Sequence, residues 1–186
     1  MEVLVLGAEG AGKSLLTKHL VAVVGKSPAE IRQSESTIPT VGVEMSNVDV
    51  GHGPLVLREV GSSIYSRWDS YYKECRAVIF VVDVADTGSY ASTMVLLHEM
   101  LSNSVVMTAV PILVALNKLD MVDTATYQTC LSFLDLEGLL DSGEEGREIT
   151  VVEGSCLAPD HSLCTQIVGW LKSISNKLPG QAVKES

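Results

Sequence analysis

The sequence predicts a doubly wound α/β domain, and three observations carry that expectation. Short apolar, β-branched runs alternate with longer segments of helical period, the pattern of strand–helix units repeated around a mainly parallel sheet. A glycine-rich segment, Gly7-Ala-Glu-Gly-Ala-Gly12-Lys13-Ser14, lies between the first such run and the first helical segment. A second polar motif, Asn117-Lys118-Leu119-Asp120, follows directly on a later buried run, at the edge where sheets of this class hold their ligands.

The elements follow in order. Val3–Leu6 reads as a buried strand, and Leu15–Val24, with Leu15, Leu16, Leu20, Val23 and Val24 on one stripe, as the helix after it. Gly25–Ser36 is a polar loop. Val43–Val50 and Pro54–Val60 flank Gly51-His-Gly53, which predicts an antiparallel hairpin with a glycine turn. The strand Ala77–Asp83, a helix over about Ser89–Leu101, and the strand Ile112–Leu116 introduced by Pro111 come next. A helix over about Thr124–Leu134 leads into Asp135–Glu148, an acidic, glycine-containing stretch that reads as an exposed insertion. Ile149–Glu153 is the last strand and Leu163–Leu178, striped by Ile167, Val168, Leu171 and Ile174, the closing helix. The sum is a six-stranded, mostly parallel sheet with one antiparallel edge strand and helices on both faces. Residues 1–178 form one domain, and 179–186 a disordered tail.

Composition removes several function classes. With 13 Lys+Arg against 23 Asp+Glu in 186 residues, the net charge of −10 argues against gripping nucleic acid or an anionic bilayer by general electrostatics. The four cysteines, at 75, 130, 156 and 164, lack zinc-ligand spacing, so reduced and mostly buried thiols in a cytoplasmic chain are expected. His19, His52, His98 and His161 fall on different elements, which speaks against a histidine metal site. The longest apolar runs are far below the ~20 residues needed to span a bilayer. Glu2 and the tail Ala182-Val-Lys-Glu-Ser186 lack acylation and prenylation signals, so no intrinsic membrane anchor is expected, and a monomer is.

Two motifs carry chemistry. Gly7 to Ser14 fits G-x-x-x-x-G-K-[ST] in full, at the strand-to-helix junction that its mechanism needs. Its backbone N–H groups, from Glu9, Gly10, Ala11, Gly12 and Lys13 through Ser14 and Leu15, suit a phosphate chain at a helix N-terminus. Lys13 is placed to bridge terminal phosphates and the Ser14 hydroxyl to ligate Mg²⁺. In Asn117–Asp120 the carboxylate of Asp120 can accept from both N1–H and the exocyclic amine of guanine, which adenine cannot satisfy. Asn117 orients the loop and the stem of Lys118 covers the ring face.

These motifs, with Thr37-Ile-Pro-Thr-Val-Gly42 between them, resemble the small GTPases of the Ras superfamily, specifically the Arf and Arf-like branch. Trp68-Asp-Ser-Tyr-Tyr72, Val78-Ile-Phe-Val-Val-Asp83 and Ser155-Cys156-Leu157 extend the likeness over nearly the whole chain. The absent N-terminal amphipathic helix, long first loop and altered second switch look most like the divergent Arf-like sixteen type. The resemblance implies a P-loop GTPase domain that takes GTP or GDP with Mg²⁺. It makes Thr40 the first-switch residue that ligates Mg²⁺ and meets the γ-phosphate, Gly61 the second-switch glycine that meets it too, and Ser155, Cys156 and Leu157 the last base-contacting loop. Effectors would read the switch regions Thr37–Gly42 and Arg58–Tyr72, and an exchange factor and a GTPase-activating protein would drive the cycle. Partners would recruit the chain to cilium or internal membranes.

The chain also departs from the family pattern. Where the family has W-D-x-G-G-Q, this sequence has Arg58-Glu59-Val60-Gly61-Ser62-Ser63. By the resemblance, Glu59 replaces the aspartate that reaches Mg²⁺ through water, and Ser63 the glutamine that orients the attacking water. Loss of that amide predicts slow intrinsic hydrolysis with binding kept. A scaffold that holds GTP without a cycle is the other reading. Val43, Arg58 and Tyr71 stand at the positions of the family's effector-reading aromatic trio, so one aromatic remains. Trp68 and Tyr72 are expected to pack the second switch helix on the core.

Overall fold

The long apolar runs come out as strands covered on both faces. In a computed structural model, which describes residues 1–25, 40, 42–51, 53–102, 110–135, 138 and 148–177, six strands form one sheet in the order β2-β3-β1-β4-β5-β6. They are β1 (Glu2–Gly7), β2 (Val43–Asp49), β3 (Pro54–Val60), β4 (Ala77–Asp83), β5 (Ile112–Asn117) and β6 (Ile149–Glu153). β2 pairs antiparallel with β3 and forms one edge; the other pairings are parallel. The helices are α1 (Lys13–Val24), α2 (Trp68–Tyr72), α3 (Tyr90–Ser102), α4 (Thr124–Leu134) and α5 (Ser162–Lys177).

Alternation along each central strand divides the interior in two. Val3, Val5, Ile79 and Val81 join Leu16 and Leu20 of α1 and Ile167 and Leu171 of α5 in one core, while Leu4, Leu6, Val78 and Phe80 join Leu97, Cys130 and Leu134 from α3 and α4 in the other. Parallel strands must be buried on both sides, which is why β1, β4 and β5 read as unbroken apolar runs.

Predicted and observed bounds agree at β3, β4, α4 and β6 and differ by one or two residues elsewhere. Helix α1 starts at Lys13 rather than Leu15, because Gly12 adopts a left-handed conformation (φ 92°) that turns the chain straight into the helix. Strand β2 stops at Asp49, whose carboxylate accepts from the Gly51 N–H at 2.8 Å and begins the turn. A 3₁₀ turn, Thr87–Ser89, precedes α3. Most of the loop 25–36, most of the acidic stretch 135–148 and the tail 179–186 lie outside the described residues. All four cysteines are free and buried. Among the described residues no helix is long and apolar enough to cross a membrane.

Candidate nucleotide-binding site

The site forms along the carboxyl edge of β1, β4 and β5. On the phosphate side, Lys13 is buried on the first turn of α1 and its ammonium donates to the carbonyls of Gly7 (3.0 Å) and Ala8 (2.7 Å). Burial pushes the Lys13 ammonium down from its ordinary pKa, opposed by the nearby carboxylates of Glu59 and Glu9. No side chain caps α1 and no acid sits in its first turn, so its leading N–H groups suit an anion. A Cβ on Gly12 would stand 2.6 Å from Asn117 Nδ2, so the loop and the base motif press together there.

Ser14, Thr40 and Glu59 converge from α1, the first switch and β3. Ser14 Oγ donates to Glu59 Oε1 at 2.7 Å, Thr40 Oγ1 donates to the same oxygen at 3.0 Å, and the two hydroxyls lie 3.1 Å apart. Glu59 is 2% exposed. Two hydroxyls and a carboxylate are hard oxygen donors of the kind Mg²⁺ takes together with substrate phosphates, so the residues present fit that ion.

On the base side Asn117 is fully buried and holds two loops at once. Its Nδ2 donates to Ala11 O at 3.0 Å in the phosphate loop, and its Oδ1 accepts from Cys156 N at 3.0 Å. Leu119 N donates to Gly154 O and Gly154 N to Leu116 O, so the motif and the last loop form one unit. Asp120 is exposed on the turn Leu119–Met121, its carboxylate open to a base edge. Ser155 and Cys156 are buried and Leu157 exposed. The N–H of Leu157 goes to Ser155 Oγ at 3.1 Å, so Cys156 and Leu157 both spend their N–H groups inside the protein.

Sequence reasoning missed Asp83. It ends β4 opposite Asn117, accepts from Ala85 N at 2.9 Å, and pairs with Lys118 Nζ at 2.5 Å. Lys118 itself has a left-handed backbone (φ 67°). A carboxylate closing an otherwise wholly apolar strand was the available signal.

The second switch is arranged differently. Gly61 N donates to Gly42 O at 2.9 Å, and a Cβ on Gly61 would meet Thr40 O at 2.2 Å, so the two switches touch through backbone. The Gly61 N–H is engaged within the protein rather than open toward the phosphate loop. Ser63 is exposed. Trp68 and Tyr72 are buried, Trp68 edge-on to Phe80 with ring centroids 6.5 Å apart, in keeping with the core-packing expectation.

At the three trio positions, Val43 is exposed while Arg58 is caged. Its guanidinium lies 2.7 Å from Glu2 and 3.8 Å from Glu74, and over the Tyr71 ring at 5.5 Å. Met45, the cross-strand neighbour of Arg58, is 58% exposed and was not singled out from the sequence. The histidines, separate along the chain, are not all separate in space: His19 and His161 pack edge to face at 6.1 Å. Among the described residues no group of three or more His, Cys, Asp or Glu gathers as a metal cluster.

Comparisons with known proteins agree with this geometry. The profile of the ADP-ribosylation factor family matches residues 1–173. Human ADP-ribosylation factor-like protein 16 is 29% identical over 174 residues, covering 91% of this chain and 84% of that protein. ADP-ribosylation factor-related protein 1 of Bos taurus is 34% identical over 73% of this chain and 64% of its own length. Among solved structures, the Arl6 BBS3 small GTPase of Trypanosoma brucei with bound GppNp superposes with a TM-score of 0.72 at 20% identity, over 95% of this chain and 98% of that one, a likeness of fold. A complete phosphate loop, a guanine-type base motif tied to it through Asn117, and a family match spanning nearly the whole chain lead to one conclusion: the protein belongs to the ADP-ribosylation factor family of small GTPases, whose members bind guanine nucleotides.

Proposed function

We propose that this chain is a GTP/GDP switch that uses Mg²⁺ and hydrolyses GTP slowly on its own. The observation that carries the reading is the meeting of Ser14, Thr40 and Glu59, which ties the first switch to the helix that holds the phosphates. Mg²⁺, held by these residues, would neutralise phosphate charge. Lys13, freed from the Gly7 and Ala8 carbonyls, would bind the terminal phosphates, and Asp120 would select guanine. A third phosphate would compete for the Gly61 N–H now given to Gly42, so the nucleotide state would move both switches at once.

Slow hydrolysis follows from the chemistry of the second switch. Residues 61–72 contain no side-chain amide, and exposed Ser63 offers only a short hydroxyl at the position where the family pattern has glutamine. Phosphoryl transfer rests on positioning, so this omission costs rate and spares binding. The same omission favours a second reading, a scaffold that stays loaded with GTP. Loading purified protein with labelled GTP and following bound GDP, with and without cell extract, separates the two. Product only with extract supports a cycle driven by an activating partner, and no product in either arm supports the scaffold. Rapid hydrolysis without extract refutes slow intrinsic turnover.

By family likeness we further propose a cytoplasmic protein that effectors and an exchange factor bring to internal or ciliary membranes. Imaging of the tagged chain, wild type against Lys13→Ala, tests this: nucleotide-dependent recruitment supports it and a uniformly diffuse signal counts against it.

A further inference from the structure

We propose that His19 and His161 are positioning residues that clasp the phosphate half of the nucleotide site to its base half, and that acid opens the clasp; the inference rests on the nucleotide-switch reading above. His19 lies on α1 beyond Lys13 and Ser14, about 9 Å along the same helix from Lys13. His161 ends the loop that starts at Ser155. Consecutive turns join the two ends of that loop: Ala158 N donates to Ser155 O at 3.2 Å, His161 N to Ala158 O at 3.0 Å, and Thr165 N to His161 O at 2.9 Å. The backbone of His161 is left-handed (φ 51°), and Asp160 Oδ1 accepts from Ser162 N at 3.1 Å, so the turn is framed on both sides. The His161 ring meets the His19 ring edge to face, with centroids 6.1 Å apart and planes at 63°. A force that parts these rings pulls on the helix of Lys13 and Ser14 and on the loop of Ser155, Cys156 and Leu157 together.

The contact suits neutral rings. His19 is 4% exposed and neither of its ring nitrogens has a hydrogen-bond partner, so an imidazole is held where an apolar side chain would cost less. Neutral rings attract edge to face, whereas two imidazolium rings at that spacing repel. The charge that acts on His19 from the facing element is that of His161. Around the pair, exposed Lys18 precedes His19 on α1, the Asp160 carboxylate is engaged by Ser162, and burial pushes the Cys156 and Cys164 thiols up, so both stay neutral. Burial, helped by His161, holds the pKa of His19 below its usual 6.5 in the closed site, and opening returns it toward that value. The open state therefore takes up a proton that the closed state refuses. The closed state keeps its full advantage above about pH 6.5 and loses it as pH falls, by at most about tenfold per pH unit for one proton.

The pH profile of GDP release tests the clasp. Release of labelled GDP from the full chain is followed by stopped flow at constant free Mg²⁺ between about pH 7.5 and 5.5. Wild type should release GDP about three- to tenfold faster at the acid end. His19→Gln and His161→Asn, the second a residue that tolerates a left-handed backbone, should each flatten the profile to less than about twofold. A flat wild-type profile, or an acceleration that persists in either variant, overturns the inference. His161 is exposed, so His161→Asn carries the comparison should His19→Gln fail to fold. Circular dichroism at each pH separates opening from unfolding: a native signal throughout supports the clasp, and loss of that signal in step with GDP overturns it. A wild type that holds no GDP at pH 7.5 would instead overturn the switch reading and the inference with it.

Discussion

The base side and the switch side of the site are built on different terms. On the base side the residues that shape the loop are pinned by backbone or by a buried charge, Asn117 by Ala11 and Cys156, Lys118 by Asp83 and Leu119 by Gly154, which leaves the exposed Asp120 carboxylate to the ligand. On the switch side two hydroxyls share one carboxylate oxygen, the Gly61 N–H holds only Gly42, and Ser63 faces solvent. Strand β2, which carries the first switch into the sheet, is an edge strand with most side chains exposed. A region held by few, partly exposed bonds opens at low cost, and one sewn into the sheet does not. The chain thus recognises its ligand with the rigid half and reports the ligand's state with the loose half.

That division predicts that affinity and turnover can be broken separately. The largest effect should come from Asn117→Ala, which leaves the Ala11 carbonyl and the Cys156 N–H buried without partners, at about 1–3 kcal/mol each. GDP affinity should fall about a hundredfold or more in fluorescent-nucleotide titrations, and a change below threefold would mean that the two loops hold their places without it. Ser63→Gln acts on the other half. It should raise single-turnover GTP hydrolysis by about ten- to a hundredfold with GDP affinity unchanged, and an unchanged rate would place the deficiency elsewhere in the switch.

Asp83→Asn sharpens the comparison within the rigid half. Without its charge partner the Lys118 stem is less fixed, and GDP release should quicken by about three- to tenfold. Stopped-flow release of labelled GDP measures this, and the hydrolysis rate of bound GTP should not move. The smallest effect concerns acid. His19 is 4% exposed with neither ring nitrogen hydrogen-bonded, and burial, helped by His161 against its ring, holds its pKa below the usual 6.5. The unfolded chain therefore binds a proton that the folded chain refuses, so stability is lost as pH falls below about 6.5, by at most about 1.4 kcal/mol per pH unit. Thermal melts at pH 7.5 and 5.5 should converge in His19→Leu, and an undiminished gap would exclude His19 as the cause.

Arg58 shows how an altered effector surface arises. From the sequence it is an arginine where an aromatic was expected. In the structure it lies between Glu2 and Glu74 and covers Tyr71, so the remaining aromatic of the trio is partly occupied by its own neighbour. The exposed apolar side chains nearby are Val43 and Met45. No periodicity marks Met45, because its exposure follows from lying opposite Arg58 on an edge strand.

The order of the elements, the phosphate loop and the base motif were legible in the sequence, because each is a contiguous pattern whose physics is local. Glycines set a turn, a lysine and a serine follow it into a helix, and apolar runs alternate with helical stripes. The tertiary structure alone decided how those pieces touch. Asn117 reaches Ala11 across 106 residues and Cys156 across 39, Lys118 meets Asp83 across 35, and Ser14 meets Glu59 across 45. The register of β4 on β5 and of β3 on β1 sets these meetings, and register depends on both cores packing at once.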